Sequence, residues 1–169
     1  MNLFFEYQAK IFKFLKILEK KKIIKIPSHI KGINIELPPH NQKADISCNA
    51  SMVLAKANNL KPDEFAEILK KHLLNKFKEF KYIDIAKPGF LNIFFHSYFW
   101  NEHLNKVISL DSKYGSIKCS KKKYNIEFVS ANPTGPLHVG HCRGAVLGDV
   151  LSNLLKFNGH KVTKEYYVN

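Results

Sequence analysis

Residues 124–168 contain the feature that most restricts the fold: a strand, an irregular loop, a long helix and a second strand, in that order. The loop 130–136 reads Ser-Ala-Asn-Pro-Thr-Gly-Pro, and its two prolines exclude a helix there. The helix is predicted for 139–157, since Asn158-Gly159 after it is typical of a left-handed C-cap. This succession predicts one right-handed crossover unit of a parallel sheet.

The two strands of this unit are predicted at 124–129 and 161–168. The large apolar residues of the helix are expected on its buried side, and they are Leu147, Val150, Leu151, Leu154 and Leu155. A single crossover unit leaves the edges and faces of its sheet uncovered. We therefore expect that it does not form a stable domain alone.

Residues 1–118 predict a separate domain of mixed α and β structure, followed by the crossover unit from residue 119. Apolar periodicity and capping residues predict four helices and two strands, with helices at 3–18, 45–57, 62–75 and 97–108 and strands at 82–86 and 90–95. Asp45 is the expected N-cap of the second helix. Small, polar and basic residues fill 111–123, so the boundary is placed there.

The composition indicates a basic protein without a disulfide or zinc framework. The formal net charge is +13, which attracts a polyanion such as nucleic acid, although a lysine-rich codon bias explains part of the excess. The cysteines Cys48, Cys119 and Cys142 are widely spaced and odd in number, so we predict no bound metal. Without a signal peptide or an apolar run of membrane-spanning length, the expectation is a cytoplasmic protein with no membrane partner.

His138-Val139-Gly140-His141 lies where the loop turns into the long helix. Ligands of parallel sheets bind beyond the carboxyl ends of the strands, and helix N-termini attract phosphate. Two histidines three residues apart lie on one side of the first turn and can donate hydrogen bonds to phosphate oxygens. Gly140 leaves room for a close approach of a nucleoside. Taken without their sequence context, these four residues are also compatible with two solvent-exposed histidines at a helix cap that bind nothing.

Glu127 interrupts an apolar strand between Ile126 and Phe128, where an unpaired carboxylate would be costly. A guanidinium is its best partner, because two parallel charge-assisted hydrogen bonds match the carboxylate. The alternatives are an edge strand with Glu127 in water and a pairing with an internal lysine.

Strand alternation in 90–95 places Phe90, Asn92 and Phe94 on one face, opposite Leu91, Ile93 and Phe95. If the second set packs inward, the first offers the aromatic stacking and amide hydrogen bonds that RNA loops require. Burial of both faces fits the pattern equally well.

The run 127–144, continued by Gly148-Asp149, Gly159 and the terminal Glu-Tyr-Tyr-Val-Asn, closely resembles the first signature of class I aminoacyl-tRNA synthetases, and more narrowly of the arginine enzyme. Residues 50–56 and 88–92 are similar to that family's N-terminal additional domain, which contacts the tRNA elbow. The resemblance implies an α/β architecture, with an α+β tRNA-binding domain before an incomplete Rossmann-like parallel sheet. It also implies ATP-dependent attachment of arginine to tRNA(Arg) through arginyl-adenylate, with Mg²⁺ accompanying ATP, in an enzyme that is monomeric when complete.

The resemblance assigns roles to individual residues. His138 and His141 are the catalytic pair, and the amino-acid side of the pocket takes Glu127, Ser130 and Asn132. ATP is held by the loop and the first helical turn, which comprise Asn132, Pro133, Thr134, Gly135, Pro136, Leu137, His138, Val139, Gly140 and His141. Gly135 stands where some relatives carry a lysine, so that role must lie elsewhere.

The sequence is compatible with three functions. The first is the arginine synthetase, of which this chain would be an N-terminal part that is inactive alone. The second is a small adenylyltransferase with the same His-x-Gly-His turn, which leaves the N-terminal domain unexplained. The third is a tRNA-binding module without catalysis. Asp149 is expected to make a structural contact, and Cys142 lacks the neighbours of a nucleophile.

Overall fold

The computed structural model describes residues 2–30, 32–116, 120–132 and 134–167. Contacts within the chain divide it into two compact units, 2–109 and 110–169. The domain boundary predicted from the sequence lies after residue 118, nine residues later than this division.

The first unit begins with helix α1, Leu3–Lys20. The Asn2 side chain caps it by accepting hydrogen bonds from the backbone N–H groups of Phe4 and Phe5. Apolar residues at steps of three and four form the buried face of α1, and they are Tyr7, Ile11, Phe14, Leu15 and Leu18. The amphipathic helix predicted at 3–18 is confirmed and ends two residues later than expected.

A four-stranded antiparallel sheet forms the rest of this unit, together with three helices. Its strands are β1 (Ile35–Glu36), β2 (Ile46–Cys48), β3 (Phe80–Ala86) and β4 (Phe90–Phe95), in the order β1-β2-β4-β3. The helices are α2 (Ala50–Leu54), α3 (Pro62–Lys76) and α4 (Ser97–Leu110). A short 3-10 turn follows α2 at Lys56–Asn58, and another follows α4 at Asp111–Lys113, in the second unit.

The predicted helix at 45–57 is wrong in its first part, because Ile46–Cys48 is strand β2 between β1 and β4. Asp45 is not a helix cap, since its carboxylate accepts the backbone N–H of Phe95 at 2.7 Å. Its own N–H donates to the carbonyl of Ile93 at 3.0 Å. Pairing with β4, a strand distant in sequence, overrides the local preference for a helix.

One face of the sheet packs on α1 and α3 to form the core. At its centre the Tyr7 ring contacts four other aromatic rings, those of Phe77, Phe80, Phe95 and Phe99. The Tyr7 hydroxyl donates to the Glu79 carboxylate at 3.0 Å, and burial, reinforced by that negative charge, raises the Tyr7 pKa. Burial also raises the pKa of Cys48 on β2 to about 12, so this thiol is protonated and unreactive at neutral pH.

The second unit is a strand, a helix and a strand, as the sequence predicted. Strand β5 (Lys123–Glu127) pairs in parallel with β6 (Lys161–Glu165), and helix α5 (Val139–Phe157) connects them. Asn158 is the C-cap of α5, and Gly159 follows with φ +86°. The helix bounds agree with the prediction, whereas both strands end earlier than predicted, at Glu127 and Glu165.

The predicted buried side of α5 is largely exposed. Gly148 and Ser152 are buried in the helix and Leu155 is half-buried. Four of the five residues expected inside are exposed, and they are Leu147, Val150, Leu151 and Leu154. Two strands are too narrow to cover the apolar width of this helix, which is the physical reason for the difference. Among the described residues, no helix is both long and apolar enough to cross a membrane.

Gly89, in the turn between β3 and β4, provides a test of the first unit. Its φ is +146°, and an added Cβ would lie 2.8–2.9 Å from Pro62, two of the atoms being backbone. We expect Gly89→Ala to destabilise the chain by about 2 kcal/mol or more, from backbone strain and overlap together. Gly32→Ala is the control, because Gly32 has φ +90° with nothing within 4 Å. Urea unfolding followed by Trp100 fluorescence should show the larger loss for Gly89→Ala, and equal losses would contradict the close contact.

Candidate active site

The candidate site is an open concavity beside the N-terminus of α5, beyond the carboxyl end of β5. Its volume is about 740 Å³. Its lining residues come from the loop after β5 and the first turns of α5, and they are Val129, Ser130, Ala131, Asn132, Thr134, Gly135, Pro136, His138, Gly140, His141 and Gly144. This is the position where parallel α/β sheets bind ligands, and where helix N–H groups favour an anion.

A close contact between Gly148 and Phe128 holds α5 against the end of β5. A Cβ added to Gly148 would lie 2.3 Å from Cγ and 2.6 Å from Cβ of Phe128. The Ser152 hydroxyl, buried one turn later, donates to the Gly148 carbonyl at 2.6 Å. The absence of a side chain at position 148 therefore allows the approach that places the helix beside the loop.

His138 and His141 cap the helix reciprocally. His138 Nδ1 accepts the backbone N–H of Gly140 at 3.1 Å, and His141 Nδ1 accepts the backbone N–H of His138 at 3.2 Å. The two ring centroids are 4.0 Å apart, with 39° between the ring planes. Both imidazoles are therefore oriented by the backbone and line the same concavity.

Gly140 gives the His138 ring the space for this arrangement. A Cβ at position 140 would lie 2.9 Å from Cε1 and 3.1 Å from Nδ1 of His138. The sequence attributed this glycine to the approach of a nucleoside. The structure adds a requirement within the protein, since a larger residue would displace the ring.

Val129 begins the loop with an unusual backbone conformation that the sequence did not indicate. Its φ is +61°, in the left-handed region that β-branched residues rarely adopt. Its carbonyl accepts the N–H of Ala131 at 2.8 Å, and the hydroxyl of Ser130 accepts the N–H of Tyr167 at 3.0 Å. These contacts turn the chain sharply out of the strand and tie the loop to the segment after β6.

Most of the predicted ATP-binding residues lie together in this concavity. Ser130, from the predicted amino-acid site, also lines it. The predicted ATP-binding residues that line it are Asn132, Thr134, Gly135, Pro136, His138, Gly140 and His141. Leu137 and Val139 are predicted residues that it does not include: both are exposed, and Val139 is 86% accessible on the apolar side of α5. Pro133 lies outside the described residues.

The premise that Glu127 is buried is wrong. Ile126 and Phe128 are half-buried, whereas Glu127 is exposed on the alternate face of β5. It lines a second, smaller concavity with Lys164, Glu165, Tyr166 and Tyr167. Glu165 is its register partner on β6, which the sequence did not single out, so two carboxylates lie side by side at the carboxyl ends of the strands.

Asp149 makes the structural contact that the sequence predicted. Its carboxylate pairs with the Lys164 ammonium, and this hydrogen bond and charge lower the pKa of Asp149. The pair therefore links α5 to β6 at neutral pH, and in acid it is lost when the carboxylate is protonated, below the ordinary aspartate range. Among the described residues, no group of three or more His, Cys, Asp or Glu side chains has the arrangement of a metal site.

The predicted RNA-facing side of β4 differs from expectation. Asn92 is only 3% exposed, so the prediction of an exposed amide is wrong. Its Nδ2 donates to Gln42 Oε1, and its buried Oδ1 has no hydrogen-bond partner among the described residues. Phe90 and Phe94 are half-buried, and Phe94 stacks on the exposed Tyr82 with ring centroids 4.1 Å apart. The loop that carries Gln42 covers Asn92, a contact that strand alternation does not predict.

Two known protein-family models match this chain. Residues 103–169 match the family model described as the catalytic domain of class I (R) tRNA synthetases. Residues 7–95, more than half of the chain, match the arginyl-tRNA synthetase N-terminal domain. The chain therefore belongs to the arginyl-tRNA synthetase family.

Similar proteins agree with this assignment. The chain is 49% identical over 170 aligned residues to the arginine–tRNA ligase of Pelagibacter ubique and 44% identical to that of Bartonella quintana. Each alignment covers the whole chain but only 30% and 29% of the relative. The arginyl-tRNA synthetase structures from Thermus thermophilus and Plasmodium falciparum share the fold, with TM-scores of 0.63 and 0.67 at 22% and 16% identity. They align with 99% and 95% of this chain and with 26% and 30% of their own.

Two glycines on α5 test the contact that positions the site. We expect Gly148→Ala to reduce hydrogen-exchange protection of the α5 amides, because the overlap with Phe128 costs about 1–3 kcal/mol. Gly144→Ala is the matched control, since nothing lies within 4 Å of its added Cβ and alanine favours a helix by about 1 kcal/mol. Exchange measured by mass spectrometry on both variants should show opposite changes. Equal protection in the two would contradict the packing.

Proposed function

We propose that this chain supplies the tRNA-contacting N-terminal domain and the first ATP-binding element of an arginine–tRNA ligase. The reaction joins the arginine carboxylate to the α-phosphate of ATP and releases pyrophosphate, and the arginyl group then passes to the terminal ribose of tRNA(Arg) with release of AMP. The observation that carries the proposal is the pair of oriented imidazoles at the N-terminus of α5, which line one concavity beyond β5. Because the chain spans about 30% of its relatives, the whole reaction is proposed for a longer protein that contains it.

The concavity favours chemistry at phosphate. Negative charge builds up on the phosphate oxygens as the carboxylate attacks, and preoriented donors stabilise that charge without reorganising. His138 and His141 are held by backbone contacts at the positive end of the helix macrodipole. We assign them to the phosphates of ATP, whose accompanying Mg²⁺ neutralises further charge.

Two exposed carboxylates support an arginine substrate. Glu127 and Glu165 are register partners, and neither takes part in a salt bridge among the described residues. Lys164, the one cation among the described residues of the smaller concavity, pairs with Asp149 instead. A substrate guanidinium can pair with Glu127 through two charge-assisted hydrogen bonds, while Ser130 and Asn132 line the neighbouring pocket.

In the first unit, the face of the sheet that does not pack on α1 and α3 supports a role in RNA binding. Tyr82 and Phe94 form a stacked pair on which a base can stack in turn. We propose that Phe90 and Phe94, with Tyr82, contact an unpaired loop of tRNA(Arg), whereas the buried Asn92 supports this face from beneath the loop of Gln42.

The enzymatic part is tested by arginine-dependent exchange of pyrophosphate into ATP, measured on the full-length protein that carries this chain. We expect Glu127→Gln to raise the KM for arginine roughly tenfold or more, since a charged hydrogen bond is lost, while the KM for ATP stays within about twofold. Glu67→Gln, which removes an exposed carboxylate from α3, is the control. Equal effects of Glu127→Gln on both substrates would make that residue structural. Exchange absent from the wild type would reject the ligase.

The RNA part is tested by fluorescence titration of this chain with tRNA(Arg) and with an unstructured RNA of equal length. We expect Tyr82→Ala and Phe94→Ala each to reduce the preference for tRNA about fivefold or more, because base stacking on this pair is lost. The salt dependence should stay unchanged, since phosphate contacts remain. Phe5→Ala removes an aromatic side chain that is 65% exposed on α1 and should have no effect. Unaltered preference in both test variants, with the fold verified by circular dichroism, would assign this face to the core alone.

A further inference from the structure

We infer that His138 and His141 are held as neutral imidazoles with the proton on Nε2, because both use Nδ1 to close the first turn of α5. The ordinary reciprocal cap places Ser or Thr at the N-cap and Glu or Gln three residues later. Here imidazoles occupy both positions, with hydrogen bonds of 3.1 Å and 3.2 Å to backbone N–H groups.

The protonation state follows from what each ring nitrogen does. A neutral imidazole has one donor and one acceptor nitrogen, and an imidazolium has two donors. An Nδ1 that accepts a backbone N–H carries no proton, so the proton lies on Nε2 in both rings. Adding a second proton to either ring would set two N–H groups against each other and open the cap.

The surroundings of both rings agree with the tautomer that the hydrogen bonds require. The centroids are 4.0 Å apart, and two positive rings at that distance would repel. The described residues that line the concavity include no carboxylate that would stabilise an imidazolium. The positive end of the α5 macrodipole also opposes a cation at this position. Arg143, on the next part of α5, is a further cation rather than a counter-charge.

This assignment deepens the proposed function and, for its ligand, rests on it. The pair presents two neutral Nε2–H donors to the phosphates, and the helix N-terminus supplies the positive potential. Each histidine is also a positioning residue for the other and for the first turn. Replacement by alanine therefore removes a helix cap as well as a donor, so alanine variants overstate the contribution of the donors.

The tautomers are tested by long-range ¹H–¹⁵N correlation spectra of the chain labelled at histidine. The expected result is the Nε2–H pattern for both His138 and His141 at neutral pH, with the exposed His29 and His40 as internal references. An Nδ1–H tautomer or an imidazolium at either position would overturn the inference. This measurement needs no substrate, so its failure is distinct from failure of the ligase.

Substitutions at His138 and His141 separate their helix-capping role from their role as hydrogen-bond donors to phosphate. Asparagine is a strong N-cap and glutamine a normal partner three residues on, so His138→Asn and His141→Gln should keep the hydrogen-exchange protection of the α5 amides that alanine at the same positions removes. In the full-length protein, His138→Asn should still lower the rate of adenylate formation about 100-fold, because asparagine lacks the Nε2–H group that donates to phosphate. The exchange is measured on the full-length protein, and protection that is lost equally in the asparagine and alanine variants would overturn the capping role.

Discussion

The contact between Gly148 and Phe128 is the constraint on which the candidate site depends. It brings the backbone of α5 against the end of β5, where any side chain at position 148 would overlap the aromatic ring. Once the helix lies there, its N-terminus comes beyond the carboxyl end of the strand, and the loop between them has to turn sharply. The left-handed Val129 is the local consequence of that turn. Close packing in the middle of a helix thus determines where two histidines, seven and ten residues earlier in the chain, present their rings.

The two units use their sheets differently. In the first, one face of an antiparallel sheet packs on α1 and α3, while the other carries Asn92 beneath the loop of Gln42 and the stacked Tyr82 and Phe94. In the second, a parallel pair contacts α5 on one side, and its far face ends in the carboxylates of Glu127 and Glu165. Recognition of RNA and of a cationic amino acid is therefore proposed for sheet faces, and phosphate chemistry for a helix N-terminus.

Local signals predicted much of this arrangement. The bounds of α1, α3 and α5 follow from apolar periodicity and capping, which depend on residues three or four apart. The grouping of the loop residues with His138 and His141 was also predictable, since a strand, a loop and a helix in succession leave few positions for the loop. Gly148 carried a weak signal of its contact, because glycine inside a helix is costly without a packing reason. The reciprocal imidazole cap had none, since histidine is not the usual residue at either position.

By itself, the sequence determined the order of the elements, the chemistry available at the start of α5 and the membership of the family, because these depend on neighbouring residues. The tertiary structure decided which side chains are covered. Glu127 is exposed because β5 has a polar far face, Asn92 is buried because the loop of Gln42 lies over it, and Ile46–Cys48 is a strand because β4 pairs with it. Each of these outcomes depends on a partner distant along the chain. Alternation shows only that two faces exist, and contacts between distant segments decide which of them water reaches.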